Sequence, residues 1–128
     1  MPLGETPRIL VVEDEVLLRC LVADELREFG CDVTEVGCAE DALAYLEAGG
    51  QADLVFSDVR LSGRASGVEL ARELRRIDGG LPIFLTSATA TSEDANGDWR
   101  FVPKPYNIPH VIRMMLDVLG VQPLERRA

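Results

Sequence analysis

The fold is decided by a short stretch near the start of the chain, Ile9-Leu10-Val11-Val12 followed by Glu13-Asp14-Glu15. An unbroken apolar run of this length is typical of a strand that is buried on both faces of a parallel sheet. Apolar residues then recur at helical spacing from Leu17 to Phe29, and Gly30 stands where a helix is expected to end. The stretch therefore predicts a strand followed by a helix, with acidic residues at the junction.

The same alternation continues along the chain. Apolar runs predict further strands at residues 32–36, 54–56, 83–85 and 101–102, and helical spacing predicts helices at residues 39–48, 68–77 and 108–119. Strands that alternate with helices are typical of a parallel sheet covered on both faces and joined by right-handed crossovers. Residues 88–100 have only small apolar side chains before Trp99, so we expect a fourth helix there to be short or missing.

Length and composition indicate a single domain. The chain has 128 residues, of which 47% are hydrophobic, and this is enough for one globular core. We place the domain at residues 8–120 and expect a flexible N-terminus at residues 1–7 and a C-terminal tail at residues 121–128.

The net charge and the cysteine content indicate which kinds of partner and which cellular compartment suit this chain. The formal net charge of −9 disfavours nucleic acid and anionic membranes and suits cations, basic partners or simple solubility. Cys20, Cys31 and Cys38 lack metal-site spacing and are expected to be reduced thiols of a cytosolic protein. The start of the chain has no apolar segment typical of a signal peptide or a membrane span, so we expect a cytoplasmic location.

Polar residues follow four of the five predicted strands, and ligands of open parallel sheets bind beyond the carboxyl ends of the strands. The set comprises Glu13 and Asp14 after the first strand, Asp58 after the third, Thr86 and Ser87 after the fourth, and Lys104 after the fifth. Because neighbouring strands lie about 5 Å apart, these side chains are expected to meet. Clustered carboxylates raise one another's pKa unless a cation neutralises them. Oxygen ligands without histidine or cysteine favour Mg²⁺ over zinc.

A carboxylate in such a cluster can act as a nucleophile toward phosphorus and form an aspartyl phosphate. Phosphoryl transfer depends mainly on positioning and charge stabilisation, which a metal ion, an ammonium group and a hydroxyl would supply. No single one of these residues is specific for this chemistry. Their occurrence together at the strand ends of one α/β pattern favours a phosphoacceptor site.

Four segments resemble those of the receiver domains of two-component response regulators. They are Val11-Val12-Glu13-Asp14-Glu15, Leu54-Val55-Phe56-Ser57-Asp58, Leu85-Thr86-Ser87-Ala88 and Lys104-Pro105. The resemblance covers about residues 7–120 and implies a flavodoxin-like, doubly wound sheet of five parallel strands in the order 2-1-3-4-5.

The resemblance also implies which residues hold the phosphoryl group and the metal. Asp58 is then the phosphoacceptor. Mg²⁺ would be held by Glu13, Asp14, Asp58 and the backbone carbonyl of Arg60, with Asp14 preferred as a direct ligand.

Three further roles come from the same resemblance. Ser87, preferred to Thr86 because of its distance after Pro82, would bond a phosphoryl oxygen, and Lys104 would pair with the phosphoryl group. Phe101 stands at the place of an aromatic switch residue, although a plain buried strand residue is an equal alternative.

The implied partners are a donor and a target. The donor would be a phosphohistidine on a sensor histidine kinase or a histidine phosphotransfer protein, and phosphorylation would switch binding to a downstream protein. We expect no nucleic-acid or membrane partner, no output domain, and no enzymatic activity beyond self-catalysed transfer to Asp58.

The chain departs from the receiver pattern in two places. Ser62 replaces a proline that is common four residues after the acceptor, and the loop to Gly67 is one residue longer than in many members. The interval from Ser87 to Lys104 is several residues shorter than usual. We expect the first loop to be more mobile and the fourth helix to be reduced.

Three other functions compete with this interpretation. A degenerate receiver would bind a partner without being phosphorylated. A flavin- or nucleotide-binding protein is disfavoured because the sequence has no G-x-G-x-x-G or G-x-x-x-x-G-K-[ST] motif. A Mg²⁺-dependent phosphatase with an aspartate nucleophile would want a second acid where Arg60 stands.

Overall fold

The computed structural model describes residues 6–89 and 97–121, and these form one sheet covered by helices. The strands are β1 (Arg8–Val12), β2 (Asp32–Val36), β3 (Leu54–Asp58), β4 (Ile83–Ser87) and β5 (Arg100–Pro103). The helices of the described residues are α1 (Val16–Glu28), α2 (Ala39–Glu47), α3 (Gly67–Ile77) and α4 (Ile108–Leu119). The strand order is β2-β1-β3-β4-β5 and every pairing is parallel, which confirms the predicted fold class.

The sheet divides the interior into two apolar cores, because successive residues of a strand point to opposite faces. On one face, Val11 of β1 and Phe56 of β3 belong to a core with α1 and α4. On the other face, Val12 of β1 and Leu85 of β4 belong to a core with α2 and α3. The central strands thus face apolar helices on both sides, which is why their sequences are unbroken apolar runs.

The start of α3 is fixed by local sequence signals and lies against the end of β3. The Ser66 side chain accepts a hydrogen bond from the Glu69 amide, and the Glu69 carboxylate accepts one from the Ser66 amide, which forms a capping box. A Cβ atom at Gly67 would lie 2.1 Å from the carbonyl oxygen of Asp58. Glycine at this position therefore allows α3 to begin directly against the last residue of β3.

Four of the five strands are one or two residues longer than predicted. β1 begins at Arg8, and β4 continues to Ser87. β3 continues to Asp58, so this residue belongs to the strand instead of following it, and β5 extends over Arg100–Pro103. The expectation of a short or missing fourth helix concerns residues 88–100, of which 90–96 lie outside the described residues, while the flanking residues 88–89 and 97–99 are not helical. The predicted flexible ends lie largely outside the described residues as well.

No helix in the described part of the chain combines the length and the apolar character needed to cross a bilayer.

Candidate functional site

The register of the sheet brings the carboxyl ends of four strands to one edge. Val12, the last residue of β1, pairs with Ser57, next to Asp58. Asp58 itself pairs with Thr86 of β4. Ser87 pairs with Pro103 of β5, next to Lys104. The predicted convergence of these residues at one edge is therefore confirmed.

Asp58, Lys104 and Glu13 form a charged cluster at the centre of this edge. The Lys104 ammonium donates a hydrogen bond of 2.7 Å to Oδ2 of Asp58 and lies 3.6 Å from Oε1 of Glu13. Asp58 is only 7% exposed and Glu13 only 5%. Because charges so far from water need partners, the single ammonium group stabilises both carboxylates.

The second oxygen of Asp58 is held by the loop that follows β3. The backbone amide of Arg60 donates a hydrogen bond of 3.0 Å to Oδ1 of Asp58. The guanidinium of Arg60 reaches across the edge and donates to Oγ1 of Thr89 at 3.0 Å. The structure thus shows Arg60 positioning Asp58 through its amide, and the predicted role of its carbonyl as a metal ligand stays a prediction.

Burial and a neighbouring like charge raise the pKa of Glu13, one of the two acidic members of the cluster. Desolvation raises the pKa of Glu13 to about 7, against a hydrogen bond from the Glu15 amide that lowers it. The neighbouring Asp58 charge and the nearby Asp14 side chain add to this rise in pKa, and Lys104 opposes it. The cluster therefore favours an additional positive charge.

The pKa of the Lys104 ammonium group is shifted in the direction expected for a cation paired with carboxylates. Burial works to lower the pKa of Lys104, but the hydrogen bond and charge of Asp58, together with the charge of Glu13, raise it. Lys104 is therefore held in its charged form.

Asp14 lies at the rim of the cluster and is engaged elsewhere. Its side chain is exposed, and Oδ2 accepts a hydrogen bond of 3.0 Å from the backbone amide of Ser62. The donor set of Glu13, Asp14 and Asp58 consists of oxygen atoms, which suits a hard dication such as Mg²⁺. Within residues 6–89 and 97–121, however, no three acidic, histidine or cysteine side chains are arranged to hold a metal ion. The residue types therefore fit Mg²⁺, although the side chains in their present positions do not form a complete coordination shell.

Ser87 and Phe101, the predicted switch residues, lie in β4 and β5, and the Ser87 carbonyl accepts a hydrogen bond of 3.0 Å from the Lys104 amide. Oγ of Ser87 both donates to the carbonyl and accepts from the amide of Thr89, each at 3.2 Å. Phe101 pairs with Leu85 in the sheet and packs, half-buried, against the core under α2 and α3. Both alternatives for Phe101 agree with this position, and its role as a switch stays a prediction.

Thr86, which the sequence analysis set aside in favour of Ser87, and Tyr106, which it did not name, also line the cluster. Oγ1 of Thr86 is buried without a hydrogen-bond partner, and a cavity of about 10 Å³ lies between Thr86, Glu13, Asp58 and Tyr106. The Tyr106 ring packs edge-on against Phe56, and burial, with the charges of Glu13 and Asp58, raises its pKa. Strand alternation could have indicated Thr86, because it pairs directly with Asp58.

The family is established by comparison with known proteins. The family model of the response regulator receiver domain matches residues 9–115, which is most of the chain. The chain therefore belongs to the family of response regulator receiver domains.

The similarity extends to curated relatives that are longer than this chain. The chain is 33% identical, over 134 aligned positions, to the probable transcriptional regulatory protein TcrX of Mycobacterium tuberculosis, and the match covers 98% of the chain and 56% of TcrX. The chain spans about half the length of the first curated relatives that it matches.

Solved structures of response regulator proteins have the same fold as this chain. The crystal structure of a response regulator receiver protein from Sinorhizobium medicae is similar with a TM-score of 0.82 at 28% identity, over 91% of this chain and 96% of that one. The response regulator protein TrrA of Thermotoga maritima, solved in complex with Mg²⁺ and BeF, has a TM-score of 0.77 at 30% identity, over 88% of this chain and 99% of that one.

Proposed function

We propose that this receiver domain accepts a phosphoryl group on Asp58 from a phosphohistidine, in a reaction that depends on Mg²⁺. The observation that carries the proposal is the 2.7 Å contact between the Lys104 ammonium and Oδ2 of Asp58 at the carboxyl edge of the sheet. A buried aspartate that is paired with one cation and lies beside a second acid has the surroundings that phosphoryl transfer requires.

The proposed step is an in-line displacement at phosphorus. An oxygen of the Asp58 carboxylate forms the new P–O bond while the P–N bond of the donor phosphohistidine breaks. The electron pair of that bond returns to the imidazole nitrogen, which takes up a proton from solvent. Each carboxylate oxygen of Asp58 accepts one hydrogen bond in the structure and keeps a lone pair for the attack.

Charge stabilisation would come from Lys104 and from the metal. The ammonium of Lys104, already beside Asp58, would move with the carboxylate to the phosphoryl oxygens. Glu13, Asp14, Asp58 and the carbonyl of Arg60 would hold Mg²⁺, which neutralises charge on the phosphoryl oxygens. The complex of TrrA with Mg²⁺ and BeF supports this assignment by analogy.

The response to phosphorylation would pass through Ser87. Its hydroxyl would give up the hydrogen bonds to the Thr89 backbone and donate instead to a phosphoryl oxygen. The new hydrogen bond would be charge-assisted and therefore stronger. The loop that contains Thr89 would then move, and with it Arg60, which donates to the Thr89 hydroxyl. Phe101 would repack against the core under α2 and α3 and alter the surface that a protein target recognises.

The proposed partners follow from this chemistry. The donor is a sensor histidine kinase or a histidine phosphotransfer protein, and the output is altered binding of a downstream protein in the cytoplasm, where the free thiols of the chain are stable. The net charge of −9 supports the expectation that this domain itself binds neither nucleic acid nor an anionic membrane. The chain acts on its own aspartate and turns over no other substrate.

Incubation with acetyl phosphate and Mg²⁺, followed by intact mass measurement, tests the proposal. We expect the wild type to gain the mass of one phosphoryl group in the presence of Mg²⁺, and the Asp58→Asn variant to gain none while it keeps the fold. A wild type that gains no mass would favour the degenerate receiver, and an Asp58→Asn variant labelled at the full rate would refute Asp58 as the acceptor.

A further inference from the structure

The loop between β3 and α3 is tied to the rest of the domain by two carboxylates from other elements. Asp14, after β1, accepts from the Ser62 amide at 3.0 Å. Glu40, in α2, accepts from the Arg64 amide at 2.9 Å. At the base of the loop, the Gly67 amide donates to the carbonyl of Val59 at 2.7 Å. One of the two residues that hold the tip of the loop is therefore a proposed ligand of Mg²⁺.

The hydrogen bond to Asp14 exists only because residue 62 has a backbone N–H group. A proline at this position would have no donor to offer. The Asp14 carboxylate, which is exposed, is the acceptor of this bond, and Asp14 directly follows Glu13 in the chain. The Ser62 amide therefore occupies one oxygen of an acidic residue that adjoins the charged cluster in the chain.

We infer that the Ser62 amide competes with Mg²⁺ for Asp14, so that it weakens metal binding and couples it to release of the β3–α3 loop. The inference rests on the proposed function, because it assumes that Asp14 is a metal ligand. Ligation by Asp14 removes one of the two tip contacts of the loop, and the Glu40–Arg64 contact remains.

The opposite role of Ser62 predicts an effect of opposite sign. A carboxylate has two oxygens, and hydrogen bonds to a metal-ligating group usually orient it and strengthen binding. If the Ser62 amide supported Asp14 in this way, its removal would weaken Mg²⁺ binding. The direction of the change in affinity therefore separates competition from support.

Calorimetric titration with MgCl₂ of the wild type, Ser62→Pro and Ser62→Ala gives this direction. We expect Ser62→Pro, which lacks the N–H group, to bind Mg²⁺ about three- to tenfold more tightly than the wild type. Ser62→Ala keeps the amide and loses only the hydroxyl, so its affinity should equal that of the wild type. Equal or weaker binding by a folded Ser62→Pro variant would overturn the inference.

Amide hydrogen exchange in the wild type provides a second test that needs no variant. Saturation with MgCl₂ should accelerate exchange of the Ser62 amide, while the Arg64 amide, held by Glu40, keeps its rate. A Ser62 amide that is equally protected from exchange in the metal-free and the Mg²⁺-bound protein would overturn the inference that it competes for Asp14. A wild type that binds no Mg²⁺ at all would instead contradict the proposed function itself, so the two failures are distinguishable.

Discussion

The carboxyl edge of the sheet contains two groups of polar side chains that behave differently. The Lys104 ammonium lies within 4 Å of a carboxylate oxygen of both Glu13 and Asp58 and joins them in a charged cluster. Asp14 and Ser87 bond to the backbones of two loops, through the amide of Ser62 and the amide and carbonyl of Thr89. The first group is joined by its charges, and the second group ties two loops to this edge of the sheet.

This difference gives the two groups different expected responses to substitution. Loss of a charge from the cluster leaves the remaining buried charges without a partner, which affects both reactivity and stability. Loss of a loop contact exposes one backbone group that water can reach, which has a smaller effect. The following predictions test the contrast, from the largest expected effect to the smallest.

Removal of the only cation of the cluster should have the largest effect. Lys104 is the only lysine of the sequence, and no other ammonium side chain can replace it. In Lys104→Ala, the rate of phosphorylation by acetyl phosphate should fall by about 10²-fold. The phosphoryl oxygens lose the ammonium group that would stabilise their negative charge in the transition state. Binding of Mg²⁺, measured by calorimetry, should be retained.

The matched control is Arg113→Ala, which removes one positive charge from α4, where the guanidinium lies 5.8 Å from the Phe29 ring centroid. Its phosphorylation rate should equal that of the wild type. A Lys104→Ala variant that is phosphorylated as fast as Arg113→Ala would contradict the assigned role of Lys104.

The raised pKa of Glu13 predicts a pH dependence of stability in the absence of metal. Between pH 4.5 and about 7, the Glu13 carboxyl group stays protonated in the folded protein. In the unfolded chain it loses its proton near pH 4.5. The associated stability is fully present below pH 4.5 and is lost as the pH rises through 7, with a free energy on the order of 3 kcal/mol.

Urea unfolding in EDTA at pH values from 4.5 to 8 measures this contribution. Glu13→Gln, which carries no charge, should match the wild type near pH 4.5 and exceed its stability near pH 8. Glu15→Gln, an exposed neighbour, serves as the control and should follow the wild type. Parallel curves for the wild type and Glu13→Gln would show that Glu13 does not titrate in this window.

A loop-binding residue should matter less than a member of the cluster. Ser87→Ala loses two hydrogen bonds to Thr89 and the proposed bond to a phosphoryl oxygen, so its phosphorylation should slow by about tenfold. Its free energy of unfolding should fall by about 1 kcal/mol. Ser87→Thr keeps the hydroxyl and should restore the rate. A rate loss in Ser87→Ala as large as in Lys104→Ala would remove the distinction between the two groups.

The sequence predicted the cluster well because strand ends obey simple geometry. Unbroken apolar runs located the central strands, and parallel pairing then required Asp58 and the residues after β1 and β5 to converge. Strand geometry therefore grouped these side chains from the sequence alone, whereas the individual roles of acceptor, metal ligand and phosphoryl partner came from the resemblance to receiver domains and stay predictions.

Loop contacts could not be predicted in the same way. The bond from the Ser62 amide to Asp14 depends on the path of a loop whose backbone the sequence does not determine. The orphaned hydroxyl of Thr86 was passed over because Ser87, its neighbour, matched the receiver pattern. A pattern of residue types identifies which side chains converge, and it does not show which of them are already bonded to a loop.

The most direct test of the account is a crystal structure of the domain with Mg²⁺ and beryllium fluoride, which mimics a phosphoryl group. We expect the beryllium fluoride on a carboxylate oxygen of Asp58, with Lys104 and Ser87 bonded to fluorine and Ser87 released from Thr89. Beryllium fluoride bound elsewhere, or an Asp58 that stays paired with Lys104 with both mimic and metal excluded, would contradict the assignment of this edge as a phosphoacceptor site.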